Sequence, residues 1–205
     1  MILEYTKQEK LLKKYNLKTA PSFFVKNKKD ALLAVSKMGY PVVFKIFSKD
    51  CLHRTEVKGV ITNIDSLKKA KDSFDKLKSI KGIDGIIIQK QIDGVEFVVG
   101  VKKDNVFGPV VMFGTGGIFV ELFNDVSFRL APFNKGVALS MIDSIKGKRI
   151  LDGFRGLPKI KKEDVADLLV KTSLLASREQ FSEIDFNPVI FNEKGAFICD
   201  IKIIQ

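Results

Sequence analysis

The run "VEFVVGVKKDNVFGPVVMFGTGG" alternates apolar and other residues on both sides of Asp104–Asn105, a turn dipeptide. That pattern predicts an antiparallel hairpin with one face buried. The glycine-rich "GTGG" then leads into another β-rich run, "IFVELF", and not into a helix. A dinucleotide fingerprint needs a helix at that point, so a doubly wound parallel sheet is excluded. The remaining β-rich runs are again paired: "IFVELF" and "VSFRLAPF" across the turn Asn124–Asp125, then "EIDFNPVIF" and "AFICDIKII" across "NEKG".

The first half reads differently, as alternating helices and strands. Thr6 and Glu9 form a capping box ahead of Leu11, Leu12 and Tyr15. "NKKDALLAVSKMGYP" is a helix with Asn27 as its N-cap, Gly39 at its C-terminal end and Pro41 blocking continuation. The strands "PVVFKIF", "GVITNI" and "GIIIQK" come next, with a lysine-rich helix from about Ser66 to Ile80 placing Leu67, Ala70, Phe74 and Leu77 on one face. "NKGVALSMIDSIKG", capped by Asn134, and "KKEDVADLLVKTSLLASREQF", with Val165, Leu168, Leu169 and Leu175 inward, are the later helices. Helix–strand units first and hairpins afterwards predict an α+β fold of two lobes, 1–90 and 91–205.

The 205 residues are 45% apolar, enough for a real core. The apolar runs are too short to span a bilayer, and the charged start is unlike a secretory leader. Cys51 and Cys199 have neither metal-ligand spacing nor a disulfide pattern, so the expectation is a reducing cytoplasm and no membrane. The net charge of +11 favours anionic partners. Its lysines are spread over helix faces without interleaved aromatics, so nucleic acid is not expected; charge alone supports that competing reading.

Several residues could carry chemistry. Lys45 lies inside the apolar "PVVFKIF", where burial is costly unless an anion such as nucleotide phosphate meets it; its bland reading is an outward-facing strand residue. Gln89, Lys90 and Gln91 form a connector whose backbone could hydrogen-bond a planar ring, and the Glu96 carboxylate could accept from sugar hydroxyls. Gly116 and Gly117 would let backbone N–H groups approach a ligand, and Arg129 offers a fork for phosphate or carboxylate. Asn187 and Asp200 are thirteen residues apart across the terminal hairpin. Antiparallel pairing sets them side by side on one face, a hard-oxygen pair suited to Mg²⁺, with Glu183 and Asp185 on the same strand. His53, the single histidine, sits in the loop "DCLHRTEVKGV" after the Lys45 strand.

Taken in order, "GYPVVFKI", "LHRTEVKGV", "FGTGGIFVE", "DVSFRLAP", "GFRG" and "DFNP" resemble the ATP-grasp (beta) subunit of ADP-forming acetyl-CoA synthetase, also called ADP-forming acetate–CoA ligase. A more distant similarity is to the beta subunit of succinyl-CoA synthetase. The resemblance covers nearly the whole chain and implies an ATP-grasp fold with nucleotide between two α+β lobes. It implies that Lys45 meets nucleotide phosphate, that Gln89–Gln91 meet adenine largely through backbone, and that Glu96 serves the ribose. Asn187 and Asp200 become Mg²⁺ ligands, His53 a phosphoryl carrier, and Glu183 or Asp185 the acid that steadies the phosphohistidine. The family's usual "HK" is here His53–Arg54, and Lys58 replaces a small residue. A CoA-binding alpha subunit would be the hetero-oligomeric partner, with ATP or ADP as substrate. A regulatory ATP-grasp domain without turnover is the competing reading, against which the intact residue set argues.

Overall fold

The computed structural model describes residues 1–49, 58–116, 125–153 and 157–205. His53, Cys51, Arg54, Gly117, the run "IFVELF" expected as a strand and most of "GFRG" lie outside the described residues. The described residues form two compact units: Met1–Lys7 with Ala20–Gln91, and Gln8–Thr19 with Ile92–Gln205.

The first unit has a four-stranded sheet in the order β1-β4-β2-β3, formed by β1 (Ser22–Val25), β2 (Val42–Phe47), β3 (Val60–Ile64) and β4 (Gly85–Lys90). Helices α2 (Lys28–Met38) and α3 (Leu67–Lys78) cover one face. Val42, Phe44 and Ile46 of β2 and Ile86 and Ile88 of β4 meet Ala31, Ala34 and Val35 of α2 and Ala70, Phe74 and Leu77 of α3. Asn27 and Gly39 end α2 as expected, Asn27 accepting from the Asp30 N–H and Gly39 taking φ 70°; at α3 the cap is Ser66, read from sequence as the first helical residue, which accepts from the Lys69 N–H. Leu67 does not join the inward stripe; it is 52% exposed at the first helical position, and Ser73 is buried on that face instead. On the other face of the sheet, Tyr5, Phe24 and Phe47 form an aromatic cluster with ring centroids 5.8–5.9 Å apart. The Tyr5 hydroxyl lies 2.6 Å from Ser22 Oγ.

Helix α1 spans Tyr5–Lys14, and the Lys7 N–H already bonds the Glu4 carbonyl at 2.9 Å. Thr6 is therefore inside the first turn and is not the cap that the Thr6–Glu9 spacing suggested. The sequence order assigns all of 1–90 to one lobe, but packing gives Gln8–Thr19 to the second unit. Glu179 binds Lys14 Nζ and the Tyr15 hydroxyl at 2.6 Å each, and the Lys18 carbonyl accepts from the Ile198 N–H at 2.9 Å.

The second unit is a six-stranded antiparallel sheet with the order β10-β8-β5-β6-β7, β9 also pairing with β8. Its strands are β5 (Val95–Asp104), β6 (Gly108–Thr115), β7 (Val126–Leu130), β8 (Glu183–Asn192), β9 (Gly195–Ile198) and β10 (Lys202–Ile204). Phe97, Val99, Val101, Val111, Phe113, Ile184 and Phe186 are all buried on one face. The Phe97 and Phe113 rings stack at 5.1 Å. Helices α4 (Lys135–Ser144) and α5 (Lys162–Arg178) pack on each other and on that side of the sheet. Removing a side chain as buried as Phe97 costs about 3–5 kcal/mol.

Two strand expectations need correction. The return strand of the first hairpin begins at Gly108 and not at Val106, because Asp104 Oδ1 accepts from the N–H groups of both Val106 and Phe107 and closes a longer turn. Those two side chains stand 83% and 68% exposed. "AFICDIKII" is not one strand but two, β9 and β10, interrupted between them.

The Glu179 cluster makes a testable point. Lys14 and then Tyr15 hold the Glu179 carboxyl below its ordinary value of 4.5. A depressed carboxylate adds stability above its unfolded-state value and loses it as pH falls through the folded-state value. Glu179→Gln should therefore melt a few degrees lower at neutral pH, and the gap should close as pH drops below about 4. Thermal melts of both proteins across pH 3–7 check this; a gap independent of pH would refute it.

Candidate functional site

The sequence-predicted residues fall into two groups, one in each unit. In the first unit Lys45 is not the outward-facing residue of an amphipathic strand. It is 6% exposed, on the sheet face opposite the helices, in a strand flanked by β3 and β4. Lys45 stands opposite Ile87 on β4 and Val60 on β3, and its Nζ donates to Gln89 Oε1 at 2.9 Å. A buried ammonium needs such oxygen partners, and an anion would suit it further.

The end of β4 is tied down on several sides. Lys90 Nζ donates to the carbonyls of Gly39 at 3.2 Å and Tyr40 at 2.8 Å. The Lys90 N–H is bound to the Pro21 carbonyl at 2.8 Å and the Gln91 N–H to the Pro41 carbonyl at 3.3 Å. Neither donor can turn to a planar ring without breaking a bond. The Gln91 side chain exchanges two hydrogen bonds with Asn63, at 2.9 and 2.8 Å.

In the second unit the helix-free face of the sheet gathers the acidic residues. Strand periodicity places Glu183, Asp185 and Asn187 on that face of β8. Across the strand, Glu183 opposes Ile204 and Asp185 opposes Lys202 on β10, while Val189 opposes Ile198 on β9. The same register runs through both ladders, so Asn187 faces Asp200 across the interruption. Cys199 N–H still donates to the Pro188 carbonyl at 3.0 Å; Pro188 has no N–H to return, which interrupts the ladder here. On the other side, the β5–β8 register shifts between Phe97 and Val99, whose partners are Val189 and Phe186. Asn187 and Pro188 thus share one place opposite Val98, a β-bulge of the kind that re-aims a side chain. Asn187 is exposed.

The electrostatics of this face are set by crowded acids. Burial pushes the Asp185 carboxyl above its ordinary value; Lys202 opposes this, and the charges of Asp200 and Glu183 add to it. Lys202 Nζ lies 3.3 Å from Glu183 Oε1. Asp200 Oδ1 accepts from the Ile201 N–H at 2.9 Å, which fixes the carboxylate. Among the described residues no three His, Cys, Asp or Glu side chains form a ready metal cage. One carboxylate and one amide oxygen are the donor set of a Mg²⁺ that keeps water and substrate phosphate as its other ligands, and the chemistry of the pair fits.

Glu96 is exposed on β5, on the same face by alternation. Its carbonyl accepts from the Gly116 N–H at 2.9 Å. Gly116 is buried, and a Cβ there would lie 2.8 Å from the Glu96 carbonyl carbon and oxygen, so this glycine serves a close backbone contact. Arg129 does not join the acidic group. It stands opposite Val111 on the helix-covered face, and its guanidinium donates to the Phe128 carbonyl at 2.7 Å and to Ser140 of α4 at 3.3 Å. Asn63, which sequence reasoning passed over inside the β-rich "GVITNI", takes a left-handed φ of 56°, a region that asparagine tolerates.

The ATP-grasp domain family matches residues 1–204. The acetate–CoA ligase [ADP-forming] II of Archaeoglobus fulgidus is 39% identical over 207 residues, a match covering 100% of this chain and 30% of the relative. The chain thus spans under a third of that protein's length. The beta subunit of acetate–CoA ligase [ADP-forming] I from Pyrococcus furiosus is 38% identical, with 96% of this chain and 88% of that subunit covered. Among solved structures, a chain of dinucleotide forming acetyl-coenzyme A synthetase 1 of Ca. Korarchaeum cryptofilum, in complex with coenzyme A and Ca-AMPCP, is 33% identical with a TM-score of 0.92, covering 99% and 93% of the two chains. Another structure of that enzyme holds coenzyme A and Mg-AMPPCP with its phosphohistidine segment pointing towards the nucleotide binding site; it is 33% identical, with a TM-score of 0.84 and 99% and 92% covered.

Gly116→Ala tests the packing of this face. The added methyl meets backbone and cannot be relieved by a rotamer change, so the variant should lose about 1–3 kcal/mol in urea unfolding. Unchanged stability would show that β5 and β6 can separate there at no cost.

Proposed function

The chain belongs to the ATP-grasp family, with the beta subunits of ADP-forming acetate–CoA ligases, and on that premise we propose that it is the nucleotide-binding part of an acid–thiol ligase that passes a phosphoryl group between His53 and ADP. The observation that carries this reading is the shared register that sets Asn187 opposite Asp200 beside the half-buried Asp185. Mg²⁺ held by Asn187 and Asp200 would neutralise phosphate oxygens and orient them for in-line transfer. In the first unit Lys45, its Nζ donating to Gln89 Oε1, is the cation that would meet nucleotide phosphate. Gln89–Gln91 would meet the purine through groups other than the Lys90 and Gln91 N–H, which are already engaged, and Glu96 would serve the ribose hydroxyls.

His53 follows the Lys45 strand in sequence. A neutral imidazole nitrogen is a competent carrier near neutral pH, and its bond to phosphorus breaks as the terminal phosphate oxygen of ADP bonds the same phosphorus. Of the two acids that could steady the imidazole, Asp185 is favoured over Glu183. It is the more desolvated, and Glu183 is engaged with Lys202. Arg129 is left out of this set by its hydrogen bond on the helix side. The acyl group and CoA belong to a partner module. In P. furiosus the beta subunit is a chain of its own, and the much longer A. fulgidus protein leaves room for a fused one. Assembled with that partner, the protein would be an ADP-forming acetate–CoA ligase.

Two measurements test the reading. Asp200→Ala should weaken Mg²⁺-dependent ADP binding by about tenfold or more in titration calorimetry, with the melting temperature little changed. Equal affinity with and without the substitution would remove Asp200 from the site. In a complex reconstituted with a CoA-binding partner, His53→Asn should abolish acid-labile phosphate on this chain. ATP synthesis should fall by orders of magnitude while ADP still binds, and near-normal turnover would exclude a phosphoryl stop at His53.

A further inference from the structure

We propose that Asn63 is a positioning residue for base recognition, acting through Gln91; this rests on the reading of Gln89–Gln91 as the stretch that meets the purine. The β2–β3 register shifts between Val42, opposite Ile64, and Phe44, opposite Ile61. Thr62 and Asn63 therefore share one place opposite Val43, a β-bulge. Asn63 takes φ 56° there, a left-handed backbone that turns its N–H out of the ladder. That N–H donates to Gln91 Oε1 at 2.9 Å, and Asn63 Oδ1 accepts from Gln91 Nε2 at 2.8 Å.

The pair closes across the start of β2, where the Pro41 carbonyl accepts from the Gln91 N–H. Gln91 is the last residue of its unit, so the clasp fixes the chain where it leaves the sheet. Both bonds are solvent-exposed, at the edge strand β3, whose one neighbour in the sheet is β2. Exposed bonds of that kind add little to folding. What they do is hold one backbone conformation before any ligand arrives, sparing the ordering that a base-reading segment would otherwise undergo on binding. Lys90, clasped to Gly39 and Tyr40, secures the preceding residue in the same way. Asn63 touches no reacting atom in this scheme; its effect on the base passes entirely through Gln91.

The test uses the full 205-residue chain. Asn63→Gly keeps the left-handed backbone and the N–H but removes the Oδ1 acceptor, whereas Asn63→Asp keeps that acceptor. Calorimetric titration with Mg·ADP and Mg·GDP is compared for wild type and both variants. Asn63→Gly should weaken ADP binding by about 3–10-fold, the range for one lost hydrogen bond, and narrow the preference for ADP over GDP; Asn63→Asp should restore both. Wild-type affinity and preference in Asn63→Gly would overturn the proposal while leaving the nucleotide site standing. So would equal weakening of both nucleotides, or no rescue by Asn63→Asp. A wild-type chain that binds neither nucleotide would overturn the nucleotide-binding reading itself, and this inference with it.

Discussion

The site depends on β8 keeping a single register with two successive partners. β9 and β10 are separate strands, yet each pairs with β8 as if the other continued it. The interruption falls at Pro188, where the ladder loses a donor, and there Asn187 and Asp200 come face to face. Because side chains alternate along a strand, a slip of β8 by one residue would send Glu183, Asp185 and Asn187 to the helix side, away from Asp200. The buried Ile184 and Phe186 oppose that slip, since it would turn them out of the core. Core packing on one face thereby secures the chemistry on the other.

Each sheet also carries a β-bulge at a residue of functional interest: Thr62–Asn63 in the first unit and Asn187–Pro188 in the second. A bulge frees polar groups from the ladder without unfolding the strand. At Asn63 the freed N–H is taken by Gln91, and at Asn187 an exposed amide stands beside a fixed carboxylate. Lys45 and Asp185 illustrate the cost of such placements in opposite charge. One is an ammonium buried among apolar strands, the other a carboxyl pushed up by burial and by neighbouring acids. Phosphate and a divalent cation are the kinds of ligand that would relieve the two.

Much of the chain is legible from local pattern. Asn27 and Asn134 cap the helices that their positions suggested, because a cap is a contact three residues long. The misreadings share a physical cause. Thr6 and Leu67 lie at helix ends, where one residue of shift changes a role. Val106 and Phe107 have β-forming side chains, but the Asp104 carboxylate captured their N–H groups first.

By itself the sequence determined the kind and order of the elements, the antiparallel second half, and the opposition of Asn187 and Asp200. Each comes from local periodicity or from a turn that sets register. Only the tertiary structure decided that Lys45 is buried, that Arg129 faces α4 and not the acids, and that residues 8–19 pack with the second unit. It also decided that Asn63 reaches Gln91. Those outcomes turn on which strands become neighbours and which face a helix covers, and such pairings join residues too far apart in the chain for any local pattern to encode.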